Sequence, residues 1–244
     1  MNARRTPLET AEKLLEEKYP DFAVAFVAGS FNRGEETATS DIDLVVVLPK
    51  VENAWRESLI YDGWPVELFF HDEKTLKYFF YEVDAKEGIP SLPNMVLEGP
   101  AIPSESPLSN KLKELAAQVI EAGPAVLTED EKKNFRYMIS DLLDDLKAPR
   151  SKFEGLAILS KLHGMLAFFL FRSNKTWAAA GKHIPRRLQK IYPDLYKRWE
   201  ESFTKAFTGN FQPVILLTEE ILSENGGYLF SGYHRAAPKE WRTK

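Results

Sequence analysis

The sequence predicts an α/β domain followed by an all-α domain, and three observations carry that reading. Two short, apolar, β-branched runs and a hairpin signal all fall within residues 1–105. Beyond a Pro/Ser-rich passage, Pro100–Pro107, the apolar spacing is helical almost throughout. Helix-opening signatures of the capping-box type mark both halves of the chain.

In chain order, Thr6-Pro7-Leu8-Glu9 opens a helix to about Lys18, with proline where a helix needs no N–H. Ala23–Ala28 is an apolar run stopped by Gly29 and reads as a buried strand. Ile42–Leu48, ended by Pro49, reads as a second one. Arg56–Tyr61 and Pro65–Phe70 flank Asp62-Gly63, a hairpin dipeptide. Asp72–Lys86 has helical spacing, with Asp72 as N-cap, and Asn94–Ile102 is expected to be a short strand around Gly99. Then Ser106-Pro107 starts a helix to about Glu121, Thr128–Glu131 opens one to about Lys147, and Ser151–Glu154 opens one to about Arg172. Shorter helices follow at Pro185–Ile191, Asp194–Phe207 and Pro213–Ser223, ahead of a Gly/aromatic tail. The expected domains are therefore 1–105 and 106–244.

Composition bounds the chemistry. With 244 residues, 44% hydrophobic and 28% charged, the chain has the proportions of a soluble globular protein, which sets aside disorder, collagen and coiled coil. It holds no cysteine, so disulfides, thiolate metal sites and a cysteine nucleophile are excluded. No apolar segment follows the arginines of MNARRTPLET, and the most apolar stretch, Met165–Phe171, is far shorter than the ~18 residues that span a bilayer. The expectation is a cytoplasmic protein without a membrane partner, as a monomer or a homodimer. The net charge of −4 is unevenly spread: residues 1–105 carry 10 basic and 20 acidic side chains, residues 106–244 carry 22 and 16. Lys147–Lys190 holds ten basic residues and one acid, Glu154. An acidic half suited to cations thus precedes a basic half suited to phosphates.

Three carboxylates stand out. Asp41 and Asp43 open the second strand, and side chains two apart on a strand face the same way. Glu67 interrupts the apolar Val66–Phe70 run of the returning hairpin strand. If that strand lies beside the second one, the three converge on one sheet face, where their mutual repulsion demands a proton on one of them or a cation between them. Oxygen-only donors select a hard ion, Mg²⁺ or Mn²⁺. Upstream, Gly29-Ser30 ends the first strand in a turn whose backbone and hydroxyl can approach an anion, and Arg33 follows with a planar guanidinium.

Gly29-Ser30, a ten-residue gap, Asp41-Ile42-Asp43 and then Val66-Glu67-Leu68 resemble the signature of the nucleotidyltransferase superfamily that includes DNA polymerase β. The stretch GSFNRGEETATSDIDLVVV is most similar to small bacterial members such as aminoglycoside nucleotidyltransferases, which append a helical domain to a minimal catalytic one. The resemblance covers residues 22–70 by motif and the remainder by architecture. It implies a nucleotidyltransferase-type mixed sheet followed by a helical bundle. It further implies two divalent ions ~3.5–4 Å apart, bridged by Asp41 and Asp43, with Glu67 completing the site of the ion that activates the acceptor, or taking the acceptor's proton. Gly29, Ser30 and Arg33 would hold the β- and γ-phosphates of ATP or another nucleoside triphosphate. From the charge of the basic stretch and the family architecture, Lys182 and Arg186 are added as phosphate contacts. The expected reaction is transfer of AMP to a hydroxyl of a small molecule, with pyrophosphate released. A protein or an RNA end is the alternative acceptor; the basic Lys147–Lys190 stretch favours RNA, while the overall acidity and the lack of an RNA module count against it. A nucleotide-binding regulator without turnover is the alternative from another class. Asp141, Asp144 and Asp145 read as a solvated helix face, and His163, between Leu162 and Gly164, as a core histidine.

Overall fold

The computed structural model describes residues 5–34, 36–37 and 39–242, with the side chain of Arg33 excepted. The chain forms two compact units, residues 1–125 and 126–244.

The first unit is built on a five-stranded mixed sheet. It comprises α1 (Pro7–Lys18), β1 (Val24–Ala28), a 3₁₀ turn at Ser30–Arg33, β2 (Ile42–Val47), β3 (Trp55–Tyr61) and β4 (Trp64–His71). There follow α2 (Glu73–Tyr78), a π-helical segment Phe79–Asp84, α3 (Ala85–Glu87), α4 (Ser91–Glu98), β5 (Ala101–Ile102) and α5 (Pro107–Ala122). The strand order is β3-β4-β2-β1-β5. β2 is central because both its faces are apolar; it runs antiparallel to β1 and parallel to β4. That parallel pairing is possible because the chain first passes out to the edge as β3 and returns through a two-residue hairpin turn. Asp62 and Gly63 both have positive φ, 49° and 79°, the conformation whose twist matches flanking strands.

Strand parity then divides the side chains. Ile42, Leu44 and Val46 of β2, Ala25 and Val27 of β1, and Val66, Leu68 and Phe70 of β4 pack with Ala11, Leu14 and Leu15 of α1 in one buried cluster. Asp43 and Glu67 are one register step off and face the opposite side. Burying the apolar set fixes where the acids go.

The capping boxes of α1 and α6 (Glu129–Lys147) form as expected. At α7 (Lys152–Ser173) only half of one forms: Ser151 accepts from Glu154 N–H, while the Glu154 carboxylate takes Arg150 N–H. Asn94–Ile102 is not a strand. Its first part belongs to α4, and only Ala101–Ile102 pairs with β1. α4 forms because the buried Asp84 carboxylate accepts from Leu92 N–H at 2.8 Å and so caps its first turn from outside the local sequence. α5 packs against α4, and Ala125 N–H donates to Ala85 C=O, which places the division between the units after Ala125 and not near residue 105.

Two buried groups of this unit give opposing pH dependences. Burial raises the Asp84 carboxyl to about 6 and pulls His71, whose buried Nδ1 has no hydrogen-bond partner, down to about 4. Asp84's contribution is full below pH ~4 and is lost as pH rises through 6; His71's is full above pH ~6.5 and is lost as pH falls through 4. Each is worth about 3 kcal/mol and they offset one another. Urea melts at pH 4 and pH 7 are expected to separate them. Asp84→Asn, which keeps the cap acceptor, gains stability relative to wild type as pH rises; His71→Phe loses it. Parallel curves for all three proteins would refute the assignment.

The second unit is helical: α6, α7, α8 (His183–Ile191), α9 (Pro193–Phe207) and α10 (Gln212–Glu224), with a 3₁₀ turn at Lys239–Trp241. α7 packs against α6 and α9 and buries Leu159, Leu162, Leu166, Phe169 and Phe171. By length and composition it is also apolar enough to cross a membrane, a property that core helices share. The Gly/aromatic tail runs along α6: Arg136 Nε donates to Gly227 C=O, Leu229 N–H to Ser140, and the Tyr233 ring stacks 4.0 Å over Tyr137. Asp144, read from the sequence as solvated, accepts from the Tyr228 hydroxyl in this strap.

Candidate active site

The site is assembled on the first unit where β1 ends and β2 begins. Gly29 has φ +135°, and a Cβ there would sit 2.9 Å from the Phe31 ring and 3.2 Å from the Asp41 carbonyl oxygen. The turn beginning at Ser30 is thereby laid directly against the start of the acidic pair. A second tie is a hydroxyl pair, Ser30 Oγ and Ser40 Oγ, 2.8 Å apart; Ser40 also accepts from Thr37 N–H at 2.8 Å. Asn32 Nδ2 closes the turn by donating to Val27 C=O at 2.6 Å. The Arg33 side chain, assigned to phosphate from the sequence, lies outside the described residues.

Asp43 of β2 and Glu67 of β4 are register partners, and Asp41 lies two residues before Asp43. All three are half-buried, and one carboxylate oxygen from each lies within 4.8 Å of the others. Oxygen ligands ~2.1 Å from one Mg²⁺ lie about 3 Å apart when cis and about 4.2 Å apart when trans, so three carboxylate oxygens within 4.8 Å of one another can gather on a shared ion through modest side-chain movement. Three like charges so near one another are at their most stable with a cation among them. Donor set and spacing therefore suit a hard divalent ion.

Two features escaped the sequence reading. Arg56 of β3 places Nη2 2.5 Å from Glu67 Oε1, and Ser40 joins the two halves of the site. The signal for Ser40 was its place immediately before Asp41. For Arg56 it was only the hairpin register, which puts Ser58 opposite Glu67 and Arg56 one same-face step away.

Lys182 and Arg186 belong to the second unit, exposed at the N-cap and the second turn of α8. Arg187 next to them is half-buried and donates to Trp177 C=O at 3.0 Å, so it serves the fold. His163 is held edge-on by Trp199 and Phe203, with ring centroids at 5.6 and 4.8 Å, and burial lowers its basicity. It is a core histidine.

A mixed sheet whose central strand starts with Asp-x-Asp beside a Gly-Ser turn, with a third carboxylate on the parallel neighbour, defines a nucleotidyl-transfer type of domain. Residues 8–117 match the nucleotidyltransferase domain family, a stretch that includes every first-unit residue of this site. No curated protein matches the sequence. Among solved structures, a nucleotidyltransferase-like protein from Exiguobacterium sibiricum 255-15 is 14% identical, with 88% of this chain and 74% of that one covered and a TM-score of 0.42.

Proposed function

We propose that the protein transfers AMP from ATP to a hydroxyl group of a small-molecule acceptor in the cytoplasm, releasing pyrophosphate. The observation that carries this reading is the meeting of Asp41, Asp43 and Glu67 within 4.8 Å. A site that only bound a nucleotide would have no use for a third carboxylate from another strand. Asp41 and Asp43 would hold divalent ions, Mg²⁺ or Mn²⁺, which supply charge stabilisation at the α-phosphate and make the acceptor hydroxyl more acidic.

The protein's own groups do the rest. Gly29 and Ser30 lay the turn backbone where the triphosphate tail lies, with Arg33 the candidate for its outer oxygens. Glu67, within reach of the aspartates, would complete the site of the ion that activates the acceptor and take the proton of the attacking hydroxyl. The acceptor oxygen forms a bond to the α-phosphorus as the bond to the β-phosphate bridging oxygen breaks, and pyrophosphate departs. Lys182 and Arg186 stay candidates for phosphate contact on charge alone.

Pyrophosphate release from ATP, assayed with Mg²⁺ against a panel of hydroxylated metabolites, aminoglycosides, proteins and RNA ends, tests the reading. Metal-dependent release with one acceptor class supports it. Metal-independent ATP binding without release to any acceptor would replace it with a nucleotide-binding regulator.

A further inference from the structure

Arg56 stands on the outer strand of the hairpin and reaches diagonally across to Glu67. Its guanidinium lies over the Phe69 ring, 5.0 Å from the centroid, with Nη2 on Glu67 Oε1 at 2.5 Å. The guanidinium is held between the ring and the carboxylate although the side chain is more than half exposed. In the same arrangement a Glu67 oxygen stays within 4.8 Å of oxygens of Asp41 and Asp43.

We infer that Arg56 is a positioning residue and the resident counter-charge of Glu67: it steers that carboxylate into the triad and competes with a divalent ion for it. The inference rests on the metal reading given above and adds a property to it. Arginine and a hard cation seek the same carboxylate lone pairs, so an ion can use Glu67 fully only by displacing the guanidinium from it. Breaking a charge-assisted pair of this kind lowers the ion's affinity about tenfold. The ion bound through Glu67 is therefore weaker than one bound by the aspartate pair alone. It fills late, when the phosphate charge of a nucleotide offsets the arginine. The site so built discourages full metal loading before substrate arrives.

Mn²⁺ titration of the nucleotide-free protein, with free ion read by electron paramagnetic resonance, tests this on wild type, Arg56→Gln, Arg56→Lys, Glu67→Gln and the Arg56→Gln/Glu67→Gln double variant. Arg56→Gln is expected to bind Mn²⁺ about tenfold more tightly, and Arg56→Lys, which keeps the charge, to stay within about twofold of wild type. The gain is expected to vanish in the Glu67→Gln background. Equal affinity of wild type and Arg56→Gln overturns the inference and leaves the metal site standing. A gain that survives Glu67→Gln, or that Arg56→Lys shares in full, overturns it too. Absence of Mn²⁺ binding by wild type removes the metal reading, and this inference with it. Melting curves identify any variant that fails to fold, and Arg56→Ala, which also removes the charge from this exposed position, keeps the test in that event.

Discussion

Asp43→Asn is expected to lower pyrophosphate release about a thousandfold while leaving the melting temperature within a few degrees of wild type. Asn has the same shape as Asp, and position 43 is at the open end of β2, so the packing of Ile42 and Leu44 on the α1 side is untouched. What is lost is one unit of negative charge at the point where Glu67 and Asp41 converge. Removal of a single preorganised electrostatic group already costs about 10²–10³ in turnover, and Asp43, which in the proposed site would serve two ions, is expected at the upper end. A second readout separates binding from catalysis. Mg²⁺ held at the proposed site would stabilise wild type according to its occupancy of the native state, so the wild-type melting temperature is expected to climb with added Mg²⁺. In Asp43→Asn that climb is expected to be largely abolished. A variant that releases pyrophosphate within tenfold of wild type, with an unchanged response to Mg²⁺, would remove Asp43 from the catalytic centre and the proposed reaction with it.

Much of this site could be read from local pattern because strand physics is local. Apolar runs such as Ile42–Leu48 declare buried strands, and the two-residue period puts Asp41 and Asp43 on one face whatever the partner strand. Glu67 was conspicuous as an acid amid apolar neighbours. Its convergence with the aspartates was conditional on β4 lying beside β2, and the register Asp43 to Glu67 supplies that condition. The misread stretch, Asn94–Ile102, shows the limit. MVLEGPAI is a short apolar run that fits helix or strand, and what decides it is Asp84, a cap delivered from a different helix. Position 105 looked like a border because Pro100–Pro107 breaks the pattern, yet α5 beyond it packs against α4. Arg56 was illegible for a related reason: its partner is set by a diagonal across a hairpin, and no spacing within one strand encodes that. The tail's attachment to α6 depends likewise on contacts such as Tyr233 to Asn134, far apart in sequence.

Gly29→Ala is expected to reduce turnover about a hundredfold, through two effects that act together. At φ +135° an L side chain is strained by about 1–3 kcal/mol wherever it sits. Here the added Cβ also meets the Phe31 ring at 2.9 Å and the Asp41 carbonyl oxygen at 3.2 Å. The ring can swing aside, but the carbonyl is backbone, and moving it shifts Asp41 relative to Asp43 and Glu67. A displacement of about 1 Å in a positioned catalytic group is enough for a hundredfold loss. Gly34→Ala isolates the strain from the contact. Gly34 closes the same turn with φ +65°, yet nothing lies within 4 Å of its would-be Cβ. That substitution carries the left-handed backbone cost of about 1 kcal/mol and leaves the acids where they are, so turnover is expected to fall no more than a few-fold. If both alanines reduced activity equally, backbone strain in the turn would explain everything, and the direct abutment of Gly29 on Asp41 would have no part in holding the carboxylates in register. A large loss in Gly29→Ala alone, with the Mg²⁺-dependent rise in melting temperature diminished in parallel, ties the glycine to the acids through that one backbone contact.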